Sequence, residues 1–494
     1  MKTMRAMALL ALGAMTVRDA GAQPIPEDAI NAHDLTIGLD LDAARAVLAK
    51  ADTQNADIAF ERARLALYDG DCDGAAAILA DPQVAKLDDR EGLGDIARGC
   101  ARTTAATLVE EDRAKDIWVR FQDDDDRALM PLIVETIDKA RVTLTRDLGV
   151  DWPKPTRVVV VRDLHALSAM TGLPYESAST TGTVGIAKWG RVTLLSPRAS
   201  HHGFPWRDTL AHELTHLAVT HASGDRAPLW LQEGLAKREE TRWRDPSAFD
   251  DRPSPESIIA YGMQKKLDLP LDKLGASIAM LPSAEQAMVA FAEVTSFVRY
   301  MSAESGDAAV KNLLAALRAH KPIDAALTDA TGFDLKGWDA RWRAHLATLG
   351  TPPPADLVEK EGPDASKSRE RIRLAELLIG RAHERDAAIE LYALGGVFLR
   401  EPYVRYLKAR ALEKDSLADA KRVIGDATEV SAPYAPWWAI RGRLFGDAGA
   451  FWEAVAQDPF DVEAACESLD GAKKAGDALC EAARARGAPD VGHD

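Results

Sequence analysis

The segment AHELTHLAVTHASGDRAPLWLQEGLAKREE, residues 211–240, predicts how the middle of the chain folds. His212 and His216 are four residues apart, so on a helix their rings lie one above the other and could bind one ion. Glu213 lies about 100° further round such a helix, beside the ion rather than on it. The pattern predicts a metal-binding helix with one carboxylate free for acid–base chemistry.

A third metal ligand is expected because catalytic zinc usually has three protein ligands and an open position. Glu233 is the candidate, with 16 residues between it and His216. This spacing lets the first helix end near Gly224 and a second helix begin around Leu229, after a turn through Pro228. We predict one Zn²⁺ per chain in a hydrolytic site. The alternative is that the histidines are only polar residues of a half-buried helix.

The residues before this helix predict a small mixed sheet. PTRVVVVRD, residues 155–163, is a β-branched run typical of a buried strand, and TGTVGIAKWGRVTLLSPR, residues 181–198, has the form of a hairpin turning at Gly190. Helical patterns resume at Leu231 and continue to Leu349. An α+β domain is therefore predicted over residues 116–349, consisting of a sheet, the histidine helix and a helical second half.

The flanking regions have apolar residues at helical spacing, so the chain as a whole is predicted to be mostly α. Residues 23–115 contain a turn that resembles a tetratricopeptide hairpin, although a plain helical bundle fits nearly as well. A Pro-rich linker, residues 350–368, precedes residues 369–494, predicted to be degenerate tetratricopeptide-like repeats. Such repeats commonly bind a protein partner or stack on a neighbouring domain.

Residues 183–240 resemble the peptidase MA superfamily, the gluzincins that include thermolysin and aminopeptidase N. The resemblance is strongest to a bacterial peptidase-MA-like group in which a W-L-x-E-G-x-A phrase, here WLQEGLA, follows the histidine helix. It implies that His212, His216 and Glu233 bind zinc and that Glu213 is catalytic. It extends over about residues 116–348.

The resemblance also concerns the substrate cleft. It implies that the strand before the helix pairs with an extended peptide, although an ordinary sheet hairpin would have the same sequence. Relatives have a tyrosine where this chain has Phe291, which implies that a phenolic donor to the oxyanion is missing. Tyr261 or Tyr300 could substitute. Loss of such a donor costs about a hundredfold or more in rate.

Composition and the N-terminus indicate the compartment. A formal charge of −16 over 494 residues argues against nucleic acid or an anionic membrane surface as partner. Lys2 and Arg5 precede an apolar run, and an A-x-A site ends at Ala22, so residues 1–22 are predicted to be a cleaved signal peptide. We expect a periplasmic or extracellular protein without stable membrane insertion. An uncleaved anchor is the alternative.

The four cysteines fall into two local pairs. In an oxidising compartment the economical interpretation is one disulfide between Cys72 and Cys100 and another between Cys466 and Cys480. Buried free thiols are the alternative.

Together these features predict an exported zinc metallopeptidase acting on peptides or proteins. Water activated by zinc would attack the peptide bond, with Glu213 as general base and then general acid. The competing hypothesis is a binding or assembly factor in which the helical repeats bind a partner and the peptidase domain is weakly active or inactive.

Overall fold

The computed structural model describes residues 24–88, 92–150, 154–200, 203–247, 250–275, 277–358, 365–425, 434–461, 465–466 and 476–487. The predicted signal peptide therefore lies outside the described residues. Within the described part of the chain, no helix is both long and apolar enough to cross a membrane.

One five-stranded mixed sheet lies in the middle of the chain. Its strands are β1 Leu108–Asp112, β2 Ile117–Phe121, β3 Thr156–Val161, β4 Gly185–Lys188 and β5 Arg191–Leu195. They are ordered β1-β2-β3-β5-β4. The β2–β3 and β3–β5 pairs are parallel, and an antiparallel hairpin closes each edge. The predicted strand over 155–163 and the predicted hairpin over 181–198 are both confirmed.

The first hairpin corrects the sequence interpretation. Residues 108–112 were expected to belong to a helical region, and this expectation is wrong, because they form β1 and pair along their length with β2. The β1 sequence LVEED does not alternate apolar and polar residues as a half-buried strand does. Leu108 and Val109 are 42% and 41% exposed. The pairing with β2 determines its conformation.

The helices before the sheet are α1 Glu27–Ile37, α2 Leu41–Leu48, α3 Ala56–Asp69, α4 Cys72–Leu79, α5 Pro82–Ala85 and α6 Leu93–Thr104. A disulfide joins Cys72 to Cys100, at the start of α4 and within α6. Residues of α3 to α6 share a core with one face of the sheet. Val159 and Val161 of β3 pack against them, whereas Val158 and Val160 point into the main core on the other face. Burial on both faces explains the continuous β-branched run.

The remaining helices of the central part are α7 Met130–Leu148, α8 Leu164–Thr171, α9 Tyr175–Thr181, α10 Trp206–Ser223, α11 Leu229–Glu239, α12 Pro255–Lys265, α13 Ala284–Ser305, α14 Asp307–Arg318, α15 Ile323–Thr331 and α16 Leu335–Leu349. Helix α10 lies between the sheet and the helical second half, since it contacts α7, β4 and β5 as well as α11 and α14.

The C-terminal helices are α17 Ala355–Val358, α18 Ala365–Gly380, α19 Glu384–Tyr392, α20 Pro402–Leu412, α21 Leu417–Gly425, α22 Ala435–Phe445, α23 Ala448–Gln457 and α24 Gly476–Gly487. From α18 to α23 they pack as successive pairs, and a second disulfide joins Cys466 to Cys480. Trp437 and Ile440 share one core with Trp206 and Leu210 of α10, so this region packs on the central domain. Its assignment as tetratricopeptide-like repeats stays a prediction.

A buried carboxyl group in α13 predicts a pH-dependent stability. Glu293 is 1% exposed, and burial raises its pKa to about 7, although it accepts a hydrogen bond from the Leu269 N–H. Since the folded pKa lies above the unfolded one, stability is greatest below about pH 4.5 and falls as the pH rises through 7. Glu293→Gln stays neutral and keeps the acceptor, so we expect it to be more stable than wild type at pH 8.5 by up to about 3 kcal/mol.

Chemical unfolding at pH 5 and pH 8.5 checks this expectation. Exposed Glu304 on the same helix provides the control, since Glu304→Gln should not change the pH profile. An equal free energy of unfolding for Glu293→Gln and wild type at pH 8.5 would show that Glu293 does not carry this effect.

Candidate metal centre

Helices α10 and α11 have the limits that the sequence predicts. Pro205 directly precedes α10, and Gly224 ends it in the left-handed region at φ 60°, where glycine has no Cβ clash. Helix α11 begins at Leu229 after Pro228. The apolar stripe of α10 lies in the core, at Leu210, Leu214 and Leu217.

Three side chains from these helices meet at one point. The Nε2 atoms of His212 and His216 are 3.3 Å apart, and Glu233 Oε2 lies 3.6 Å and 3.5 Å from them. Two ligands of a tetrahedral zinc, each about 2.0–2.1 Å from the ion, are about 3.3–3.4 Å apart. The three predicted ligands are therefore spaced as zinc requires, and this donor set fits the ion.

The electrostatics of the cluster favour positive charge. Burial lowers the pKa of His212, but its hydrogen bonds with Glu233 and Glu240 outweigh this and raise the pKa to about 10. Burial raises the pKa of Glu233, but His216 and His212 reverse this and leave it well below its usual range. A cation placed between these side chains would therefore lie in a buried, electronegative site.

Glu213 is held against the sheet beside the three candidate ligands. Its Oε2 accepts a hydrogen bond of 2.6 Å from the Ala187 N–H in β4. Only 6% of Glu213 is exposed, and burial raises its pKa. A carboxylate that is fixed beside the ligands without being one of them is suited to accept a proton.

Strand β4 is an edge strand whose open side faces this site. The Val184 carbonyl accepts a hydrogen bond of 2.8 Å from the Leu195 N–H, so it points toward β5. Peptide groups alternate in direction along an antiparallel strand. The peptide groups of Gly185 and Ala187 therefore point away from β5. Gly185 also packs closely on α10. A Cβ there would be 3.0 Å from both Glu213 Cγ and Thr209 Cγ2, so glycine leaves room for the glutamate.

Two polar residues of the site were missed in the sequence. Glu240 Oε2 lies 3.1 Å from His212 Nδ1 and Gln232 Oε1 lies 3.4 Å from His216 Nδ1. Glu240 also pairs with Lys237 at 2.5 Å. The spacing of seven residues from Glu233 could have identified Glu240, because it returns to the same helical face. Carboxylates placed this way fix the orientation of a ligating histidine.

We therefore predict that Glu240 supports metal binding. Glu240→Gln removes the charge beside His212 while keeping the shape, and it should weaken zinc affinity about 10- to 100-fold. Competition with a chromophoric chelator measures this. Glu304→Gln provides the control, and zinc affinity equal to wild type in Glu240→Gln would remove Glu240 from the site.

Phe291 stands where the resemblance implies a tyrosine. The Phe291 ring lies edge-on to His212, with centroids 6.4 Å apart, so this position borders the cluster without providing a hydroxyl. Tyr261 donates its hydroxyl to Glu285. Tyr300 stacks on His345 with centroids 4.7 Å apart. The two candidate substitutes thus contact Glu285 and His345.

Comparison with known families agrees with this geometry. Residues 136–348 match the family model of the Peptidase MA superfamily, and this part of the chain belongs to that superfamily. The matched segment contains the whole cluster and assigns the domain to peptidase-type hydrolases. No curated protein matches the chain.

Proposed function

We propose that the protein is an exported zinc metallopeptidase in which His212, His216 and Glu233 hold one zinc ion. The observation that carries this proposal is the spacing of the three donor atoms, 3.3 to 3.6 Å, which is that of ligands on one tetrahedral ion. Two histidines and a carboxylate leave the fourth position open, as hydrolytic zinc sites do.

Bound zinc supplies polarisation of the scissile carbonyl and a lowered pKa for the attacking water. Glu213 takes a proton from this water and passes it to the leaving amine. The Ala187 N–H holds the Glu213 carboxylate in place for both transfers. Glu240 keeps the His212 ring in its ligating orientation.

The open edge of β4 provides the binding site for the peptide backbone. Extended peptides add to an exposed strand through main-chain hydrogen bonds. The Gly185 peptide groups and the Ala187 carbonyl point outward from β5 for this pairing, while the Ala187 N–H donates to Glu213. A peptide bound there is held next to the general base. Export to the periplasm or the extracellular space is proposed from the pattern of residues 1–22.

A second candidate function follows from Phe291. A ring without a hydroxyl beside His212 is compatible with a domain that retains zinc but is weakly active or inactive. In that case the helices of residues 369–494 would bind a protein partner.

Incubating the purified protein with a mixed peptide library, followed by mass spectrometry, separates the two functions. The peptidase proposal predicts cleavage that stops with a zinc chelator and returns when zinc is added. Tightly bound zinc without any cleavage would overturn it in favour of the binding function.

A further inference from the structure

The helix that carries the proposed ligands is contacted at its N-terminal end by the C-terminal region. The Phe204 N–H, just before α10, donates to the Gln457 carbonyl at 3.0 Å. Gln457 is the last residue of α23, where helix carbonyls lack partners within their own helix. Gly203 makes this contact possible, because a Cβ there would lie 2.4 Å from the Gln457 oxygen.

The other end of α10 is contacted by the N-terminal region. His221, in the last turn of α10, has its Nδ1 atom 3.1 Å from the Gly38 carbonyl, so the ring N–H donates to it. Gly38 directly follows α1. Arg318 donates to the His221 carbonyl and to Asp40, two residues after Gly38.

Both contacts come from outside residues 136–348, the segment that the family model matches. Gln457 lies more than 100 residues after it, and Gly38 about 100 residues before it. Metal and catalytic groups lose function when they move by more than about 0.5 Å from their required positions. His212, Glu213 and His216 all lie on the helix between the two contacts.

We infer that the two flanking helical regions position the zinc-binding helix, with Gly203 and His221 as the positioning residues. That this positioning matters for catalysis rests on the proposed function. The inference itself predicts a change in zinc affinity, which is measured without any substrate. The flanking regions thus support the proposed metal site, which is a role separate from binding a partner.

Gly203→Asn in the full chain tests the contact with Gln457 at the N-terminal end of α10. Asparagine tolerates the left-handed conformation of Gly203, φ 69°, so the main change is the clash with Gln457. Gly446→Asn is the matched control, since Gly446 has φ 65° and open space around its Cβ position. We expect about tenfold weaker zinc affinity for Gly203→Asn, and wild-type affinity for Gly446→Asn.

A pair of variants at His221 tests the contact with Gly38 at the C-terminal end of α10. His221→Leu removes the donor to Gly38 and should weaken zinc affinity, whereas His221→Asn retains an N–H donor and should restore most of it. Circular dichroism of each variant checks that it is folded. Wild-type zinc affinity in both Gly203→Asn and His221→Leu would overturn the inference, even if the protein is a peptidase. A wild-type protein that binds zinc and cleaves nothing would overturn the proposed function instead.

Discussion

Glu213→Gln is expected to keep zinc bound and to lower kcat by about 10²- to 10⁴-fold, the usual contribution of a general acid–base group. The amide oxygen can still accept the hydrogen bond from the Ala187 N–H, so the local structure should remain. The amide cannot take a proton from the attacking water. Elemental analysis measures whether the variant keeps its zinc. Cleavage of a peptide identified in the library measures the fall in kcat.

The result separates a catalytic role of Glu213 from a structural one. Activity within a factor of about two of wild type would exclude Glu213 as the general base, since such groups contribute at least about a hundredfold. Loss of zinc together with activity would show instead that Glu213 helps to hold the ion.

Glu233→Gln is expected to give the opposite pattern. It is the same chemical change, but it removes the charged ligand that lies 3.5 to 3.6 Å from the two histidine nitrogens. Zinc affinity should fall by more than about 100-fold, since outer partners of a ligand alone contribute about 10- to 100-fold. Activity should fall with zinc occupancy and recover in part at high zinc concentration.

Each of these two variants is the control for the other. Both glutamates are buried and both substitutions conserve size, so a general loss of folding would affect them alike. Wild-type zinc affinity in Glu233→Gln would show that the third ligand lies elsewhere.

The metal ligands could be predicted from sequence because their arrangement is largely local. His212 and His216 are fixed by the geometry of one helix, and the short connection through Gly224 and Pro228 brings Glu233 to them. The buried strand β3 was also predictable, because a run of four valines is typical of a strand buried on both faces.

Other features depend on contacts between distant segments and leave no pattern in the sequence. The Ala187 N–H that holds Glu213 is a backbone group, so the sequence carries no sign of it. Strand β1 is exposed and is recognisable only from its pairing with β2. The contacts of Gln457 and Gly38 with the two ends of α10 join segments that are at least 183 residues apart. Local periodicity carries no information at that range.

A zinc titration of the metal-free wild-type protein, followed by peptide cleavage, brings these expectations together. If His212, His216 and Glu233 hold the zinc, the rate of cleavage rises in proportion to added zinc and levels off at one ion per chain. This ratio follows from the single group of candidate ligands in the described residues. A full rate of cleavage by the metal-free protein before zinc is added would contradict the proposed function. Binding of one zinc ion per chain without any cleavage would also contradict it.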